Sequence, residues 1–465
     1  MRSTLLLMAV LTLVPRLDGQ GSTAPRRCQL VITEVGNELY RQELFATNVN
    51  WYGGGGVRMR CRAQEIFLQS DSVVATNGEV IQFIDRARYR DADVTIDADT
   101  LVYTKFSELL QATGHVRIVS QRDGAVLVAP RVDHFRASVG LRDTAETTAG
   151  IIGRATATLP VTAGPEDSVP PAPYVVNAGV LRRTGGTTRA WDQVTIDRDS
   201  LSGRGDTLVY LSGGVAQATL HGTPAVMTRS GADSFTVTGE TIILDLLEEE
   251  LTGITAEGEG HVLGGAGDVR GESVQLAFED GMLTGTDAWG RGDGARLLAE
   301  GYDVRGDSIS IETPGERLSQ LRVFGQGVMI ERLDSTAQAA DSIPTDSLPP
   351  IQNTIAGNTL VASFADIDSA GTLLTRLREI TAVGNATSLF SRDVIRNGAP
   401  SPTINYTRAD TIIVQMRGGD STGVSLVRAY RGSQPVDGVQ LERASLRPST
   451  AADSTAARRP EGSEG

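Results

Sequence analysis

Apolar and polar residues alternate one by one through most of this chain. Val274, Leu276 and Phe278 fall on one parity and Ser273, Gln275 and Ala277 on the other, and Ile309 and Ile311 stand in the same way against Ser308 and Ser310. Leu101 and Tyr103 against Thr100 and Val102 repeat the pattern. A period of two marks a strand with one dry face and one wet face. Helical spacing over eleven or more residues is not evident after the N-terminal apolar run, so the pattern predicts an all-β chain.

The strands share a vocabulary. A small residue, an acid and a hydroxyl introduce an apolar strand at Ala98-Asp99-Thr100-Leu101, Gly205-Asp206-Thr207-Leu208, Gly239-Glu240-Thr241-Ile242, Gly271-Glu272-Ser273-Val274 and Gly306-Asp307-Ser308-Ile309. Gly357-Asn358-Thr359-Leu360 and Ala409-Asp410-Thr411-Ile412 are looser copies. Each is answered downstream by an apolar or small residue, any residue, then glycine: Ala112-Thr113-Gly114, Leu220-His221-Gly222, Ala256-Glu257-Gly258, Ala288-Trp289-Gly290, Val323-Phe324-Gly325 and Ala382-Val383-Gly384. Thr76-Asn77-Gly78 begins the series and Tyr430-Arg431-Gly432 ends it. The glycines recur about every 35 residues, with Gly150 and Gly186 at the intermediate positions of the one long gap. Each unit reads as two strands and two turns, the glycine serving a turn or a bulge. One such unit cannot bury its apolar face alone, so successive units must stack into a common core. The expected fold is an elongated, repeat-built β-jelly roll or solenoid-like trough whose open edges are templates for an added strand.

Composition narrows the function. The 465 residues hold 43 Lys+Arg against 57 Asp+Glu, a formal charge of −14, and lysine occurs once, at Lys105. No clustered basic run is present for nucleic acid. Met1-Arg2, the apolar run Leu5 to Val14 and the small residues Gly19 to Ala24 read as an export signal over residues 1–20, the run being shorter than the ~20 residues of a span; a buried helix or short anchor is the other reading. Cys28 does not directly follow the apolar run, which argues against a lipoprotein anchor. Export would place Cys28 and Cys61 in an oxidising compartment, where they pair as a disulfide or remain two free thiols. The expected organisation is a first β-repeat domain over 21–159, a Pro-rich loop over 160–175, a second β-repeat region over 176–333, a polar linker over 334–352, divergent repeats over 353–447 and a disordered tail over 448–465.

The run Val94-Thr95-Ile96-Asp97-Ala98-Asp99-Thr100-Leu101-Val102-Tyr103, followed by Ala112-Thr113-Gly114-His115-Val116, resembles the OstA/LptA-like β-jelly-roll family of lipopolysaccharide transport. The resemblance is best over Cys61 to Val119, looser over Ser202 to Ile330, and fades beyond Leu333. It implies a periplasmic protein, outer-membrane associated or free, that binds lipopolysaccharide or a similar glycolipid and joins other such modules or an outer-membrane translocon edge to edge. The lipid-facing positions it implies are Leu101, Tyr103, Leu208, Tyr210, Ile242, Leu244, Val274, Leu276, Ile309 and Ile311, with Arg270 and Arg305 meeting head groups. Read without the resemblance, the same ten residues are closed core. The other function class is then a structural or adhesive β-solenoid of the envelope, non-catalytic, binding protein or glycan.

Chemical motifs add little. Gly419-Asp420-Ser421-Thr422-Gly423 fits the serine-hydrolase expression but falls in a loop far from any histidine in sequence. His115, His221 and His261 flank phrase glycines, with His134 apart, and read as solvated turn imidazoles rather than metal ligands. Arg204-Gly205-Asp206 and Arg305-Gly306-Asp307 are entrances to repeat strands, and Glu248-Glu249-Glu250 is an exposed turn. The acids Asp99, Asp206, Glu240, Glu272 and Asp307 stand in register, the placement of caps. No enzyme, cofactor or metal is expected.

Overall fold

A computed structural model describes residues 28–332 and 352–442, apart from residues 38, 46–47, 63, 162–170, 213–214, 232–233, 249, 266, 293, 300, 370–371, 397–398 and 417–423. The expected signal, the core of the Pro-rich loop, nearly all of the polar linker, the tail and the serine motif lie outside the described residues. The chain is all-β and antiparallel, and its one helical element among the described residues is a 3-10 turn, Pro314–Glu316. It forms two compact units, one of residues 1–160 with 176–192, the other of 161–175 with 193–465. Residues up to Trp191 remain on the first unit's ladders, where Leu181 pairs with Ala149 on one side and Ala190 on the other, and Trp191 stands opposite Val180.

The first unit contains β1 (Leu30–Val35), β2 (Tyr40–Phe45), β3 (Asn48–Gly53), β4 (Val57–Cys61), β5 (Phe67–Ser70), β6 (Ser72–Thr76), β7 (Val80–Arg90), β8 (Val94–Thr104), β9 (Leu109–Ser120), β10 (Val126–Phe135), β11 (Glu146–Ala149), β12 (Ala155–Leu159), the end of β13 (Tyr174–Ala178), β14 (Val180–Thr184) and the start of β15 (Thr187–Arg198). Its strands make two layers. One runs β1, β4, β5, then the halves of β7 to β10 nearest β12, then β12. The other runs β2, β3, β6, the remaining halves of β7 to β10, then β11, β14 and β15. The layers face each other: the Tyr89 ring of one lies 6.3 Å from the His134 ring of the other. Cys28 and Cys61 are joined as a disulfide.

The second unit continues with β16 (Leu201–Leu211), β17 (Val215–Arg229), β18 (Phe235–Leu247), β19 (Glu250–Gly264), β20 (Gly267–Glu279), β21 (Met282–Trp289), β22 (Ala295–Ala299), β23 (Tyr302–Gly306), β24 (Ser308–Glu312), β25 (Gln320–Glu331), β26 (Thr354–Ser369), β27 (Thr372–Arg396), β28 (Ala399–Met416), β29 (Val424–Arg431), β30 (Gln434–Pro435) and β31 (Val439–Glu442). It too is two-layered, with Phe235 and Phe278 meeting across the layers at 5.8 Å between ring centres. β25 and β26, on either side of the expected linker, pair from Gln320↔Ser363 to Ile330↔Thr354.

Most of the repeated phrases are bends of the ladder; Asn77-Gly78 is instead the turn between β6 and β7, and Gly432 lies in the turn between β29 and β30. In β8 the buried residues are Ile96 and Ala98 before Asp99 and Leu101 and Tyr103 after it, so the inward parity shifts by one where Asp99 stands. The ladder to β9 skips there, between Asp97 and Thr100. One extra residue is what lets both halves of a bent strand keep their apolar side inward. The two phrases meet on neighbouring strands: Thr241 lies opposite Glu257, Ser273 opposite Trp289, Ser308 opposite Phe324 and Thr359 opposite Val383. The acid caps the partner's bend, as where the Gly432 N–H donates to Asp410 at 2.8 Å and the Arg291 N–H to Glu272 at 3.2 Å. Gly150 lies between β11 and β12 at a bend position, whereas Gly186 lies in the hairpin turn between β14 and β15.

Candidate functional site

The regular repeats fill their own interior. Leu101, Leu208, Ile242, Leu244, Val274, Leu276, Ile309 and Ile311 are at most 1% exposed, Tyr103 is buried and Tyr210 is half-buried. In the second unit they form continuous inner rows, Leu208 to Leu220 to Ile242 to Ala256 to Val274 being one. Tyr103 has a polar role as well: its hydroxyl donates to the fully buried Glu108 at 2.8 Å, and burial together with that carboxylate pushes its pKa up.

Between Ser120 and Thr188 the phrases give way to small residues, and the interior opens. Inward positions that carry Leu or Ile elsewhere carry Ala125, Thr147, Ala157 and Thr188, all buried. A cavity of about 350 Å³ remains between the layers, walled by Ile118, Leu127, Leu159 and Leu181 and bordered by Arg122, Asp143 and Arg183. That volume is at the lower end of the range for small-molecule sites. None of the ten expected lipid-facing residues lines it.

His134 supplies a polar atom to the cavity wall. It is 2% exposed, and its Nδ1 lies 2.8 Å from the Thr147 hydroxyl. Burial, helped by Arg136 and Arg142 and opposed by Asp91, pushes its pKa down to about 4, so it is neutral at pH 7. It is therefore a core imidazole, where a solvated turn was expected. The segment closing this end of the cavity is pinned at both ends. Arg136 donates to Glu108 at 2.7 Å and to Gln64 at 2.9 Å, and Arg142 donates to the Ser107 carbonyl at 2.9 Å. Glu108 also accepts the Cys28 N–H at 2.8 Å, which ties the disulfide to the same network. At the rim Arg183 is paired with Asp123; burial raises that carboxyl, and hydrogen bonds led by Arg183 outweigh it to leave the pKa lowered.

Arg270 and Arg305, the expected head-group contacts, are in the second unit and line a separate polar groove. Among the described residues no group of three His, Cys, Asp or Glu is placed to hold a metal ion, and no helix is long and apolar enough to cross a membrane. The cavity could be anticipated only from the run of Ala and Thr at 144–158, which keeps the strand alternation while losing its bulk. The chain matches no known family model, and no curated protein resembles it closely enough to count as a match.

Proposed function

We propose that this protein is an exported, periplasmic lipid-binding module that carries or bridges a lipopolysaccharide-like glycolipid in outer-membrane biogenesis. The observation that supports this reading is the inter-layer cavity of the first unit, whose walls are mainly apolar and whose rim carries Arg122 and Arg183. An acyl chain gains about 0.8 kcal/mol for each CH₂ it buries there, while guanidinium groups at the rim suit a phosphorylated head group. Edge strands such as β1, which among the described residues pairs with β4 alone, would accept another module or a translocon strand.

The test is titration of delipidated protein with a fluorescent fatty acid, competed with lipid A. Saturable binding that lipid A displaces, and that Ala157→Trp abolishes by filling the cavity, is the expected result. Equal binding by the Ala157→Trp protein removes the cavity from the reading. No binding at all favours the structural or adhesive solenoid, which the sealed inner rows of the second unit support on their own account.

A further inference from the structure

The second unit carries a groove of about 1080 Å³ along its bends. Glycines line it. At Gly239, Gly258, Gly260 and Gly271 a Cβ would stand within 3 Å of neighbouring atoms, at Gly258 those of the Glu240 side chain, so the bends pack too closely there for any larger residue.

Three arginines stand in a row along it. Arg270, Arg296 and Arg305 lie directly opposite one another on β20, β22 and β23, with the His261 imidazole next in the row on β19. Like charges in such a row are unfavourable, and two carboxylates compensate them. Asp268 accepts Arg270 Nε and Nη2, both at 2.8 Å. Asp303 accepts Arg296 Nε and Nη2 at 2.9 and 2.7 Å and Arg305 Nε and Nη2 at 3.2 and 2.7 Å. All three guanidinium groups are thus held side-on in the same way, and their Nη1 groups have no partner among the described residues. Two strand spacings of ~4.8 Å put all three within about 10 Å. Glu240, Glu259 and Glu272 also line the groove, as does Arg291, whose guanidinium has no carboxylate partner among the described residues.

Oriented, rigid guanidinium groups are suited to phosphate, and the three lining carboxylates disfavour a ligand that is only anionic. The geometry points to a binding site for a phosphate ester that also carries an ammonium group, its phosphate on Arg270, Arg291, Arg296 and Arg305 and its ammonium against Glu240, Glu259 and Glu272. A lipid head group and a soluble aminosugar phosphate share this chemistry. The site belongs wholly to the second unit and does not rest on the acyl cavity of the first.

The experiment measures binding of glucosamine 6-phosphate by calorimetry, and of phosphatidylethanolamine vesicles, against phosphatidylcholine vesicles, by cosedimentation. Arg291→Gln with Arg296→Gln is expected to weaken binding at least tenfold, while Arg428→Gln, an exposed change on β29, leaves it unchanged. Arg291→Gln alone, at an exposed side chain, tests the site without risk to the fold and is expected to weaken binding several-fold. Binding of the soluble ester alone or of the vesicles alone supports the site and names its source. Equal affinity of the wild type and the double variant, or no saturable binding of either probe, overturns it.

Discussion

The carboxylate of Asp99 fills the space in which a side chain on Gly114 would stand, and it accepts the His115 N–H at 3.3 Å. A Cβ on Gly114 would lie 2.1 Å from Asp99 Oδ2, and the residue sits at φ +97°. Gly114→Ala is therefore expected to destabilise the protein by about 1–3 kcal/mol. In an Asp99→Gly background the same replacement should cost less, a coupling that a double-mutant cycle in urea denaturation reads directly.

His134 makes stability depend on pH. Its folded pKa of about 4 lies below the ordinary 6.5, so the unfolded chain binds the proton more readily. Stability is therefore full above pH 6.5 and falls as pH drops towards 4, by up to about 1.4 kcal/mol per pH unit. Thermal melts between pH 7 and 4 should show this slope, and His134→Gln should flatten it.

Leu276 and Gln275 are neighbours on β20 with opposite fates, the first fully buried and the second exposed. Leu276→Ala is expected to cost about 2–5 kcal/mol through the cavity it leaves. Gln275→Ala should stay within about 0.5 kcal/mol. Similar losses at both positions in chemical denaturation would mean that the inner row is not sealed.

The Cys28–Cys61 disulfide spans 33 residues. A loop of that length stabilises by roughly 3–4 kcal/mol in the chain-entropy account. Cys28→Ser with Cys61→Ser should lower the denaturation midpoint accordingly, and reductant should do the same to the wild type.

The strands and their inward faces are legible in the sequence because alternation survives in nearly every one of them. Val274, Leu276 and Phe278 are inward as their parity requires. The glycine of the second phrase is legible as a turn or bulge, whereas the acidic phrase is not, because the residues that shift parity at Asp99 look in sequence like the start of a strand. The cavity is hidden for a different reason. Ile118, His134, Ala157 and Leu181 come from strands with no common phrase, and only the folded layers bring them to one space. The cation row is half visible, since the family resemblance points to Arg270 and Arg305 and passes over Arg296, which joins the row only through the pairing of β22 with both neighbours.

In the second unit β16 to β20 each pair with the strand that follows in sequence. Such ladders keep contact order low for a sheet protein, because each new strand closes only a short loop. Folding there can start at any hairpin and spread outward, and a whole hairpin could be added or removed while the rest of the ladder keeps its register.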